Sequence, residues 1–156
     1  MTLSDVSHFQ VPREIVEITE GELRHAGADG YEMFVLWSGV IAKDRFIVST
    51  PHVPRQESFR LQGSGLLVRV QGDELHKLNA WLYEAGQMLG VQVHAHPTDA
   101  FHSSTDDTFP IVTALGGLSI VAADFCKHGL MTKTTAAYRL FREGWIEQDL
   151  SVVEVL

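Results

Sequence analysis

Val91-Gln92-Val93-His94-Ala95-His96-Pro97, followed by Phe101-His102-Ser103-Ser104-Thr105-Asp106-Asp107, is the stretch on which the reading of this chain turns. Gln92, His94 and His96 alternate with Val91, Val93 and Ala95. A period of two is the signature of a strand with one face buried. The two imidazoles therefore point to the same side of one strand, within reach of one ion. Pro97 ends the ladder because it has no N–H to donate. The polar loop behind it carries two serines and two adjacent aspartates. Two imidazoles plus one carboxylate from that loop make a three-ligand site. Zinc accepts His nitrogen and Asp oxygen, and a catalytic zinc keeps its fourth position for water. Taken alone, a His pair on a strand is more often packed or solvated than ligated, so the spacing downstream matters.

After His96 come seven residues, then Ser104, then two residues, then Asp107. The pattern His-x-His-x7-Ser-x2-Asp, with Pro97 behind the second His, resembles without a gap the signature of the JAB/MPN (JAMM) zinc metalloprotease family. Two competing patterns fail. A metallo-β-lactamase needs Asp two residues after the second His, where this chain has Thr98. Amidohydrolases place their His-x-His strand near the start of a barrel of roughly 250 residues, too long for this chain. A second segment supports the resemblance. Glu32, ahead of Phe34-Val35-Leu36-Trp37-Ser38-Gly39, is similar to the catalytic Glu that the family carries at the head of an early apolar strand. By itself a Glu at the mouth of such a run reads as a solvated strand end.

The resemblance implies one zinc ion (Zn2+) per chain, held by His94, His96 and Asp107. Glu32 would be the general base and Ser104 would donate a hydrogen bond to the tetrahedral oxyanion. Asp106 is the competing carboxylate, and only the spacing chooses between it and Asp107. The implied fold is an MPN core: a curved, mostly antiparallel sheet flanked by helices, with the zinc site at one edge.

Composition narrows the rest. The chain has 156 residues, 45% of them apolar and 21% charged, which suits one globular domain over 1–156 with a core at about 13–146. A net charge of −8 argues against nucleic acid as the main partner, because backbone binding rests on a surplus of Lys and Arg. Cys126 is the single cysteine, so no intramolecular disulfide can form. The first ten residues are polar, so no signal peptide is expected. No stretch reaches the roughly 18 apolar residues of a membrane span. The expected compartment is the cytoplasm.

In chain order, residues 1–11 read as a loose lead-in. A helix is expected over 13–26, ending at Gly27 and Gly30. A buried strand is expected over 31–40 and its hairpin partner over 45–49. Residues 50–65, with two prolines and two glycines, read as a loop offering His52, Arg55, Gln56 and Arg60, and 66–70 as a strand or lead-in. A helix opens at Gly72-Asp73-Glu74, with Asp73 as its N-cap, an apolar stripe through Met88 and Leu89, and Gly90 as its stop. Strands follow at 110–115 and 118–122 around a turn, bulge or close approach at Gly116-Gly117. Residues 137–142 read as an outer strand, 143–144 as a turn, 145–146 as a last short strand, and 149–156 as a strand or tail. Helices on the faces of a sheet define an α/β fold of the α+β type.

The family resemblance also implies substrates. It points to a zinc-dependent isopeptidase or peptidase that cleaves a ubiquitin-like protein from its conjugate or trims its C-terminus. The stand-alone bacterial proteins it is similar to accompany ubiquitin-like conjugation systems, so E1/E2-like proteins are expected partners, and neither nucleic acid nor membrane is. The 50–65 region would help form the substrate groove, pairing with the substrate's tail as an added strand. The rival readings are a sulfur-carrier or small-amide metallohydrolase of the same fold, a non-catalytic MPN scaffold, and the DNA-associated RadC-like branch. Intact His94, His96, Ser104 and Asp107 weigh against the scaffold, and the acidic composition against the last.

Overall fold

Successive residues of one strand, packed into two different core clusters, place the two helices on opposite faces of one sheet. In the strand Phe34–Ala42 (β2), Val35 and Trp37 belong to the large core cluster together with Ile15, Val16 and Leu23 of the first helix, Arg13–Ala28 (α1). Leu36 points the other way, into a smaller cluster with Leu78 and Leu82 of the second helix, Gly72–Ala85 (α2). The computed structural model describes residues 1–61, 65–102 and 111–156. The remaining strands of the main sheet are His8–Val11 (β1), Arg45–His52 (β3), Met88–Ala95 (β6), Leu118–Ala122 (β7), Ala136–Phe141 (β8), Gly144–Gln148 (β9) and Val153–Val155 (β10), and Gln56–Leu61 (β4) and Gly65–Val70 (β5) form a separate hairpin. The eight-stranded order is β10-β1-β3-β2-β6-β7-β8-β9. β2 is antiparallel to β3 and β6, and β8 to β7 and β9. The β10–β1, β1–β3 and β6–β7 pairs are parallel. The result is a curled, mixed α+β sheet flanked by two helices.

Several elements differ from expectation for identifiable reasons. Residues 1–11 are not a lead-in: they hold a 3-10 turn at Leu3–Asp5 and then β1, and Leu3, Val6, Phe9 and Val11 are all core residues. Residues 149–156 carry β10, which pairs with β1 through Phe9↔Val153. The two chain ends thus extend the sheet beyond β3. Of the described residues in 50–65, most are strand and not loop, because β3 runs on to His52 and β4 pairs with β5. α2 stops earlier than the apolar stripe suggested. Gly86 adopts φ 66°, a left-handed C-cap whose N–H reaches the Leu82 and Tyr83 carbonyls, and Met88 and Leu89 open β6 instead. Asp73 lies inside the helix, whose N-cap is Gln71. Gly90 is a strand residue, where a Cβ would stand 2.4 Å from the Phe46 ring. The described part of 110–115 forms no strand.

α1 runs through Gly27, expected as its stop, to Ala28. A Cβ at Gly27 would lie 2.4 Å from Phe125 Cβ, whereas one at Gly21 meets nothing within 4 Å. The two glycines of one helix therefore make opposite predictions. Gly21→Ala is expected to stabilise by up to about 1 kcal/mol through helix propensity. Gly27→Ala is expected to destabilise by about 1–3 kcal/mol through overpacking. Urea unfolding of both variants checks this, and equal signs would contradict it.

Candidate metal centre

β6 is an interior strand, and both of its faces are covered. Val91, Val93 and Ala95 pack in the core beneath α1. Gln92 and His94 lie on the other face, His96 stands one residue past the strand's end, and all three are buried, with His94 1% and His96 5% exposed. The period-two pattern thus marks two buried faces of different chemistry, where a buried and a solvated face were expected. A buried imidazole needs a partner, and the pair faces inward: His94 Nε2 and His96 Nε2 are 3.1 Å apart. Two nitrogens bound at about 2.0–2.1 Å to a tetrahedral zinc stand roughly 3.3 Å apart. The donor set and its spacing fit a divalent metal of that kind.

Register brings in the glutamate. β2 runs antiparallel to β6 with Phe34↔His94 and Val35↔Val93 opposed. Carrying that register two residues further sets Glu32 opposite His96, and Glu32 Oε1 is 3.9 Å from His96 Nε2. The carboxylate is 12% exposed, so it does not sit on a solvated strand end. Two residues from the supposed loop hold it there. The Gln56 amide donates to the Phe34 carbonyl at 2.9 Å and accepts from the Phe34 N–H at 2.6 Å, standing where a further β3 residue would pair. Ser58 Oγ donates to the Glu32 carbonyl at 2.8 Å. The start of β4 is thereby fastened to the head of β2.

Rings frame the pair. Phe34 packs on His94 with centroids 4.7 Å apart, and the half-exposed Phe101 meets His96 almost perpendicularly at 4.8 Å. The backbone at the end of β6 is held as well. The His96 N–H donates to Ala122, and the His96 and Thr98 carbonyls accept from the N–H groups of Phe125 and Asp124. Asp124, Phe125 and Cys126 all have positive φ, between 50° and 63°, a conformation costing an L-residue about 1–2 kcal/mol. This strained turn packs against Gly27. Burial pushes the Cys126 thiol up to about 11, with Glu20 adding to the shift and Arg24 opposing it, so the thiol is unreactive near neutrality. Away from the pair, Ser38 Oγ bonds Gln87 Oε1 and His52 Nε2, each at 2.7 Å. Burial lowers the pKa of His52, a residue expected at a loop surface.

Of the five expected site residues, the structure brings His94, His96 and Glu32 together. Ser104 and Asp107, like Asp106, lie outside the described residues. Among the described residues no group of three His, Cys, Asp or Glu side chains could hold a metal, so a complete site needs a donor from elsewhere. A groove of about 1040 Å³ runs between α2, β5 and residues 111–114, walled by Val70, Leu78, Leu82 and Ile111. It reaches Phe34, the ring that packs on His94. Among the described residues no helix is long and apolar enough to cross a membrane.

The chain belongs to a family represented by a probable metalloprotease. That relative is the probable metalloprotease y4jG of Sinorhizobium fredii, 37% identical over 152 residues, which are 97% of this chain and 93% of the relative. No family model matches the chain. In fold, the chain is similar to the solution structure of protein DSY2949 from Desulfitobacterium hafniense, with a TM-score of 0.64 at 15% identity, covering 95% of this chain and 92% of that one.

Proposed function

We propose that this protein is a JAMM-type zinc peptidase that releases a ubiquitin-like protein from its conjugate or trims its C-terminus. The observation that carries the reading is the convergence of His94 Nε2 and His96 Nε2 at 3.1 Å, with Glu32 Oε1 3.9 Å from the second. The family's probable metalloprotease supports a metal-dependent peptidase in general. Zinc, the isopeptide bond and the ubiquitin-like substrate rest on the sequence pattern. In this reading Asp107 is the third ligand, and the MPN core is the fold.

A zinc ion in such a site supplies a Lewis acid for the scissile carbonyl and lowers the pKa of water. The chain's own residues do the rest. Glu32 accepts a proton from the attacking water and returns it to the departing amine nitrogen. Its low exposure, 12%, keeps that carboxylate out of bulk water. Ser104 donates a hydrogen bond to the oxyanion. The apolar groove beside Phe34 suits a polypeptide substrate. β5 has a strand neighbour on one side among the described residues, which leaves an edge for an extended tail. A ubiquitin-like conjugate, supplied by E1/E2-like proteins, fits that edge.

The test is metal content and cleavage in paired variants. Asp107→Ala is expected to lose zinc and Asp106→Ala to keep it, with one zinc per chain in the wild type. A fluorogenic ubiquitin-like conjugate should be hydrolysed by wild type and by Asp106→Ala only. If the conjugate stays intact while a small thiocarboxylate or amide is cleaved, the substrate class is wrong. A carefully purified wild type without zinc would point to a scaffold.

A further inference from the structure

We propose that Gln92 is a positioning residue of this centre, a clamp that ties both ends of segment 103–110 to the strand bearing His94 and His96. The inference rests on the reading above, because that segment contains Ser104 and Asp107. Gln92 precedes His94 by two residues on the same face of β6 and is wholly buried. Its Oε1 accepts from two consecutive backbone N–H groups, those of Ile111 and Val112, each at 2.9 Å. These are the first described residues after the segment.

The other half of the amide reaches the segment's start. Gln92 Nε2 donates to Ser119 Oγ at 3.1 Å, and Ser119 is its register partner on β7. Having accepted from the amide, the Ser119 hydroxyl can donate in turn, and His102 Nε2 lies 3.1 Å from it. His102 is the last described residue before the segment, and its ring packs on Tyr138 of β8 and Trp145 of β9. One side chain therefore connects residue 102 with residues 111 and 112 across the eight positions between them. A buried amide is costly unless its hydrogen bonds are made, and Gln92 directs them to residues on either side of segment 103–110. Partners of this kind orient ligands, and losing one typically weakens metal binding about 10- to 100-fold.

The variant Gln92→Met keeps volume and removes all three hydrogen bonds. Two readouts are needed. The first is amide exchange at Ile111 and Val112 in metal-free protein, expected to accelerate at least about tenfold once the amide acceptor is gone. The second is zinc affinity in Gln92→Met, Asp107→Ala and the double variant. Gln92→Met is expected to bind zinc about 10- to 100-fold more weakly. The double variant is expected to be no worse than Asp107→Ala, because a clamp that acts through Asp107 then has nothing left to orient. Wild-type zinc affinity in Gln92→Met beside a weakened Asp107→Ala would overturn the clamp and leave the metal reading standing. Wild-type affinity in Asp107→Ala would overturn the ligand assignment, while unchanged exchange at 111 and 112 in Gln92→Met overturns the clamp whatever zinc does. Should Gln92→Met not fold, Ser119→Ala cuts only the His102 end. Weaker zinc binding with unchanged exchange at 111 and 112 supports the clamp, and unchanged zinc binding overturns it.

Discussion

The double variant His94→Ala/His96→Ala is expected to purify without metal and to lose peptide hydrolysis by at least about a thousandfold, since a bound metal contributes several kcal/mol to the transition state. The two Nε2 atoms face each other at 3.1 Å, a spacing that suits one shared ion, and among the described residues no group of three His, Cys, Asp or Glu side chains could hold a metal. Both rings are buried, and truncating them opens a cavity that itself costs stability. His94→Gln, closer in volume, separates ligand loss from packing loss. Thermal unfolding with and without added zinc gives the thermodynamic counterpart. Wild type should gain stability in proportion to RT ln(1 + [Zn]/Kd), and neither variant should gain any. Metal retained by the double variant at the wild-type ratio would show that the histidines serve each other and not an ion.

The part of this centre legible in the sequence is the part encoded locally. Period two sets His94 and His96 on one side of β6, and Pro97 follows the strand's last residues. The position of Glu32 was reachable only through resemblance, because its partner is 64 residues away and the link is the antiparallel register of β2 on β6. The residues that hold the site were missed for a common reason. Gln56 and Ser58 sit in a region whose prolines read as loop. Pro51 is tolerated inside β3 because β1 pairs with β3 only at residues 45–47, so among the described residues β2 is the one strand that Pro51 pairs with. Ile111 and Val112 look like strand residues, yet their N–H groups go to a glutamine side chain. Residues 1–11 have only a four-residue strand, too short for a periodicity argument, and their core partners Phe46 and Val153 lie far along the chain. Side chains standing in for backbone, and strands added from chain ends, leave no local pattern to read.

Glu32→Gln is expected to keep its metal and lose its chemistry. The amide is nearly isosteric, so the Phe34 and Ser58 attachments that hold the backbone at this point should survive. What disappears is a proton acceptor 3.9 Å from His96 Nε2. General base catalysis contributes typically a hundred- to ten-thousandfold, so kcat should fall by about that factor, with KM changed little because the groove beside Phe34 is untouched. Full activity would mean that another group takes the proton. Loss of metal would make Glu32 a ligand, with its 3.9 Å separation from His96 closing when the ion binds. The expected result, metal bound and turnover lost, would separate the two roles proposed for neighbouring groups: His94 and His96 as ligands, and Glu32, just ahead of β2, as the base.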